Sequence, residues 1–127
     1  FVFKAIKDKS ISLFEPHFKR NYIHIKDVAR AYLFAIENFN KLKGEVFNLG
    51  MSDANLSKLE LCEKIKKYIK DLEIFISKNG SDPDKRDYIV SNKKIESNGY
   101  FTKYSLDDGI KELIKYYSII TKKNTNI

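Results

Sequence analysis

Three residue types in this 127-residue chain could do chemistry at a ligand: arginine, histidine and a strand-end asparagine. Arginine occurs only at 20, 30 and 86, against a background rich in lysine. A guanidinium presents a planar fork of donors that suits phosphate or carboxylate oxygens two at a time. The same fork makes surface salt bridges, and Asp84 and Asp87 stand beside Arg86 for that purpose. His24 has the chemistry of a general acid–base group or a metal ligand, but no Cys, second His or carboxylate stands at ligand spacing from it. It reads as a structural strand histidine. His17, in the loop before Arg20, is a candidate hydrogen-bond partner for a ligand. Asn48 ends an apolar run, where α/β folds place ligand contacts, although a role in satisfying backbone fits it equally. Cys62 lies on the apolar face of a helical pattern and reads as inert core. The sequence offers no metal site.

These residues are positioned by elements that can be read from period and punctuation. Residues 1–8 form the end of a helix and Ile11–Phe14 a short strand closed by Glu15-Pro16. Asn21–Ile25 alternates as a strand, with Tyr22, His24 and Lys26 on one face. Asp27 is a good N-cap for a helix to about Phe39, with Val28, Ala31, Ala35 and Ile36 inward. Glu45–Gly50 reads as a buried strand ending in glycine. Ser57 and Glu60 form a capping box that opens a helix to about Lys70. Its inner face is Leu61, Cys62, Ile65, Tyr68 and Ile69, with Lys64, Lys67 and Lys70 outside. Residues 73–77 alternate as a strand, 78–84 form a loop and Asp87–Val90 is extended. Asn92–Asn98 is a short helix stopped by Gly99. Ser105 and Asp108 form a second capping box, before a helix that buries Leu106, Ile110, Leu113, Ile114 and Tyr117. Residues 121–127 read as a polar tail.

The segment Arg20-Asn21-Tyr22-Ile23-His24-Ile25-Lys26-Asp27-Val28-Ala29 resembles a signature of the extended short-chain dehydrogenase/reductases, which modify nucleotide-linked sugars with bound NAD or NADP. Phe47-Asn48-Leu49-Gly50, Arg86-Asp87-Tyr88, Lys94-Ile95, Gly99-Tyr100 and Ser105-Leu106-Asp107-Asp108-Gly109-Ile110 resemble later pieces of the same family, in the same order. The resemblance runs from about Ile11 to Tyr117. It implies an α/β fold: residues 1–120 would be the C-terminal substrate-binding portion of a Rossmann-type epimerase/dehydratase, with that domain's last strand and helix. It also implies that Arg20 touches a nucleotide diphosphate and that Arg86 is a second phosphate-binding arginine. The implied chemistry is hydride transfer at a sugar carbon, with epimerisation, dehydration and reduction all open. The implied partners are a nucleotide sugar, an N-terminal cofactor domain and, in the complete enzyme, a second subunit.

The departures are informative. The five glycines have no tight dinucleotide-binding spacing, so the cofactor's phosphate cradle is missing here. The family's catalytic Tyr-x-x-x-Lys belongs on a helix. Tyr22 and Lys26 match its spacing, but on a strand such a pair stands more than roughly 10 Å apart. This chain is therefore expected to be inactive alone. Asn98 and Asn21 replace the usual leucine and aspartate, and the loop over residues 14–19 differs from the common pattern, so base identity does not carry over.

Composition bounds the alternatives. Apolar residues make up 43% of the chain, enough for one globular domain. No apolar run reaches the length of a membrane span, roughly 18 residues. A single cysteine removes any internal disulfide framework and fits a reducing, cytoplasmic setting. The net charge of +7 admits a second reading, a small basic nucleic-acid-binding or regulatory module. Against it, the lysines are spread over every helix rather than gathered on one face.

Overall fold

Alternation in Ser10–Leu13 (β1) buries Ile11 and Leu13 while Ser12 faces out. Glu73–Ile76 (β4) lies parallel beside it, with Ser10 opposite Glu73 and Leu13 opposite Ile76. A second ribbon joins Lys19–Asn21 (β2) and Asn55–Ser57 (β3), antiparallel, with Arg20 opposite Leu56 and Asn21 opposite Asn55. The helices are Val2–Lys7 (α1), Ile25–Glu37 (α2), Phe39–Leu42 (α3), Lys58–Tyr68 (α4), Lys93–Ser97 (α5) and Leu106–Lys123 (α6). This computed structural model describes residues 1–78, 80–81 and 84–123. Parts of the expected 78–84 loop and of the expected tail lie outside those residues. The architecture is α/β.

Two apolar clusters hold the elements together. The larger joins α1, β1, α4, β4 and α6 through residues such as Ala5, Ile11, Cys62, Ile65, Leu72 and Ile110. Cys62 is fully buried there, and burial pushes its thiol up to about 11, which keeps it protonated and unreactive. The smaller cluster packs Ala31 of α2 against Ile95 and Tyr100, with Phe47 and Leu49 at its margin.

The α4 capping box forms as expected. Glu60 N donates to Ser57 Oγ at 3.2 Å, and Ser57 N donates to Glu60 Oε2 at 2.7 Å. Ser57→Ala leaves one orphan helix N–H and is expected to cost about 1 kcal/mol, read as a lower urea midpoint at unchanged slope. Ser105 and Asp108 make the matching box at α6, with bonds of 3.1 Å and 3.0 Å.

Several expected boundaries move. The strand over residues 21–25 is short: β2 ends at Asn21, so Tyr22, His24 and Lys26 do not share a strand face. The helix cap is His24, in extended backbone, whose Nδ1 accepts from Lys26 N at 3.1 Å. Asp27 stands in the first turn of α2 and is fully buried. Only one side of α2 finds neighbours, so Ala31 is buried and Val28 half-buried, while Ala35 and Ile36 face out, Ile36 at 70% exposure.

The expected strand over Glu45–Gly50 does not form. Among the described residues the four strands pair off with each other and leave no neighbour for it, and Val46 is 85% exposed. Tyr68 and Leu113 sit nearer the surface than expected; the Tyr68 hydroxyl donates to Asp107 at 2.9 Å. Lys64 is half-buried and pairs with the same Asp107 at 3.2 Å instead of facing solvent. Helix α6 continues through 121–123, where a polar tail was expected.

Candidate functional site

Arg20 is placed by β2 and locked from several directions. Its Nη1 donates to Lys19 O at 2.8 Å and its Nη2 to Asp84 O at 2.9 Å. The guanidinium lies 5.3 Å from the centre of the Tyr88 ring, and the side chain is 15% exposed. Tyr88 N donates to Lys19 O at 3.4 Å and Lys19 N to Asp87 Oδ1 at 2.8 Å, so the segment after Asp84 runs beside β2.

Arg86 belongs to that segment. Its Nε and Nη2 donate to Asp84 Oδ1 and Oδ2, each at 2.7 Å, a two-toothed pair. The side chain is 73% exposed. Asp84 Oδ2 also lies 3.3 Å from Arg20 Nη2. The Arg86 guanidinium, bonded first of all, then hydrogen bonding from the Arg86 backbone and the charge of Arg20 hold the Asp84 carboxyl well below the usual range, against the cost of its burial. Two arginines far apart in sequence thus meet at one carboxylate.

Behind them, asparagines replace missing ladder bonds. Asn21 Nδ2 donates to Met51 O at 2.8 Å, and Met51 N donates to Asn21 Oδ1 at 2.9 Å. Asn55 does the same for Val90: its Nδ2 donates to Val90 O at 3.0 Å and Val90 N to its Oδ1 at 2.8 Å. Each side-chain amide stands in for a peptide group. These bonds tie β2, β3, the 50–51 corner and the 84–90 segment into one backing for the arginines. Asn92 is buried beside Gly50, and among the described residues its amide finds no hydrogen-bond partner.

The other sequence candidates lie less centrally. Asn48 is exposed, and its Nδ2 donates to Ser91 O at 3.3 Å. His17 is exposed, with its ring edge-on to Phe18 at 4.7 Å. Among the described residues no hydrogen bond or ring contact joins either to Arg20 or Arg86. His24 stacks on Tyr104 at 4.8 Å and its Nε2 lies 3.1 Å from Glu112 Oε2. Because Nδ1 accepts from backbone, Nε2 carries the proton and donates to Glu112. Lys26 Nζ is held by both Glu112 oxygens at 2.9 Å, and Tyr22 packs against the larger core. The strand-distance argument against this Tyr–Lys pair therefore lapses, and what occupies Lys26 is Glu112. Among the described residues no trio of His, Cys, Asp or Glu could hold a metal, and no helix is long and apolar enough to cross a membrane.

In the sequence Asp84 is only a near neighbour of Arg86. Its contact with Arg20 is long-range and leaves no trace in spacing. Tyr88 was findable: in an extended segment, Arg86 and Tyr88 fall on one face.

The class that the fold defines is an α/β lobe, and comparison with known proteins says what it resembles. Residues 2–50 match the NAD dependent epimerase/dehydratase family model. CDP-paratose 2-epimerase of Salmonella typhi is 29% identical over 103 residues, covering 80% of this chain and 30% of that protein. A GDP-6-OMe-4-keto-L-xylo-heptose reductase from Campylobacter jejuni superposes with a TM-score of 0.73 at 27% identity, covering 89% of this chain and 35% of that one. L-threonine dehydrogenase from Phytophthora infestans shares the fold, with a TM-score of 0.77 at 12% identity over 94% of this chain and 40% of that one. The chain is thus similar, over residues 2–50, to the NAD dependent epimerase/dehydratase family, and it shares the fold of nucleotide-sugar reductases. It spans about a third of the length of these relatives.

Proposed function

We propose that this chain, over residues 1–120, is the nucleotide-sugar-binding part of an NAD(P)-dependent epimerase, dehydratase or reductase. The observation that carries the reading is the meeting of Arg20 and Arg86 around one anionic group, Asp84. Two guanidinium forks that reach one carboxylate can grip adjacent phosphates of a nucleoside diphosphate. Asn48 and His17 would add contacts at the margin of the same ligand. The relatives support the substrate class through what they act on: CDP-paratose in one, GDP-linked heptoses in others.

In the complete enzyme the lobe would face an N-terminal cofactor domain, with the sugar between them. NAD or NADP would supply hydride transfer there. The glycines of this chain are too scattered to cradle a dinucleotide, so no step of that chemistry is assigned to its residues. The lobe's work is positioning. Binding energy from the diphosphate, remote from the reacting carbon, holds the sugar in register and is released as rate. The chain alone should turn nothing over. The complete protein would be cytoplasmic and a homodimer.

The test is equilibrium binding of UDP, dTDP, GDP, CDP and ADP to this chain at about 150 mM salt, with single-stranded DNA as control. The expected result is saturable preference for one diphosphate. Arg86→Ala is expected to weaken that affinity at least tenfold, and to raise KM for the nucleotide sugar equally in the complete enzyme, a loss of about 1.4 kcal/mol. Binding of DNA without nucleotide preference would replace this reading with the basic module. An unchanged affinity in Arg86→Ala would remove Arg86 from the site.

A further inference from the structure

We propose that Asp84 is an internal anion that occupies the arginine clamp before ligand arrives, so that a nucleoside diphosphate binds by displacing its carboxylate from Arg86. The inference rests on the diphosphate reading above and adds a residue that sets the site's affinity.

The two arginines are held differently. Arg20 keeps its pose without the carboxylate: two backbone carbonyls accept from it, and the Tyr88 ring lies against its guanidinium. It is the fixed prong. Among the described residues, every hydrogen bond of the Arg86 guanidinium goes to Asp84. Arg86 is otherwise open to solvent and lies two residues from its partner on exposed backbone. It is the movable prong, and the pair can part without shifting β2.

The geometry is that of ligand mimicry. Both Asp84 oxygens sit on the Arg86 fork at 2.7 Å, as two phosphate oxygens would, and Oδ2 reaches Arg20 at 3.3 Å. With the carboxylate in place, the cluster of two cations carries one compensating charge. An incoming diphosphate must offer more than the carboxylate does. An exposed pair of this kind is weak enough to yield and strong enough to tax affinity, since apparent affinity scales with the fraction of protein whose clamp is free.

The test uses the full 127-residue chain, inorganic pyrophosphate as a base-free probe and the five nucleoside diphosphates, at fixed ionic strength. Asp84→Asn keeps size and the backbone carbonyl that Arg20 uses, and removes the charge. It is expected to tighten pyrophosphate and the preferred nucleotide about threefold to tenfold, in line with the worth of an exposed, bidentate pair. Asp87→Asn makes the same change in net charge nearby while keeping an acceptor for Lys19 N, and should change affinity less than twofold. Arg86→Ala should erase the gain from Asp84→Asn. Equal tightening by Asp87→Asn, or equal or weaker binding in Asp84→Asn, overturns the inference. If Arg86→Ala weakens binding tenfold while Asp84→Asn gains nothing, the diphosphate clamp stands and only the internal anion falls. If Arg86→Ala changes nothing, or no variant binds, both fall.

Discussion

Asp27→Ala will destabilise the chain by about 3 kcal/mol, the largest loss expected from any single truncation here. The carboxylate is wholly buried and accepts from Lys103 N at 3.0 Å, Tyr104 N at 3.0 Å and Arg30 Nη1 at 2.5 Å. Alanine strands two backbone donors at once and removes the carboxylate partner of Arg30, whose guanidinium keeps Phe101 O and solvent. The backbone of Asp27 is tied in as well, since Tyr100 Oη donates to Asp27 O at 2.5 Å. The residue therefore clips α2 to the 100–104 segment that leads into α6. Urea unfolding measures the loss. Asp27→Asn retains an acceptor and should cost less, because it removes the charge but orphans fewer donors. Equal stability of wild type and Asp27→Ala would show that the clip contributes nothing.

Burial alone would raise the Asp27 pKa, but the N–H groups of Tyr104 and Lys103, with Arg30, outweigh it and hold the group below its ordinary value. A carboxyl depressed in the folded state stabilises fully above the unfolded value and loses that contribution as pH falls through the folded one. The difference between wild type and Asp27→Ala is thus expected to be full at neutral pH and to shrink on acidification. A difference that grew toward acid would contradict the assignment.

Asp27 also marks where sequence stopped being readable. Aspartate suits both an N-cap and the third residue of a first turn, and these positions differ only in where the helix starts. A histidine can cap too, so local preference could not choose between Asp27 and His24. The choice is made by the 103–104 backbone, whose donors need a buried acceptor. Capping boxes at Ser57 and Ser105 were legible because both partners lie within four residues. The strand expected at Glu45–Gly50 failed for the opposite reason: an apolar run declares that something should cover it, and only another strand makes it a strand. At the site, the resemblance pointed to Arg20 and Arg86, while the contacts of Arg20 with Asp84 and with the Tyr88 ring depend on a pairing across the fold.

Gly50→Ala will cost about 2–3 kcal/mol, and the loss will nearly vanish in an Asn21→Ala background. A Cβ at Gly50 would stand 2.1 Å from Asn21 Oδ1 and 2.8 Å from its Cγ. The Asn21 amide cannot swing aside cheaply, because both of its ends are bonded to Met51, and Nδ2 also reaches Asn55 Oδ1 at 3.1 Å. The backbone at Gly50 is not left-handed, so glycine is needed there for space alone. Removing Asn21 beyond its Cβ forfeits those hydrogen bonds but empties the volume that the new methyl would claim. The remaining close neighbour, Asn92 Oδ1 at 3.2 Å, needs to give by only a few tenths of an ångström. The two changes should therefore couple, with the double variant more stable than the sum of the single losses predicts. Strict additivity in urea unfolding would mean that the Asn21 amide is not what excludes a side chain. Because Asn21 adjoins Arg20 on β2, Gly50→Ala should also weaken nucleoside diphosphate binding, and the double variant should show whether space or the lost amide bonds matter more to that prong.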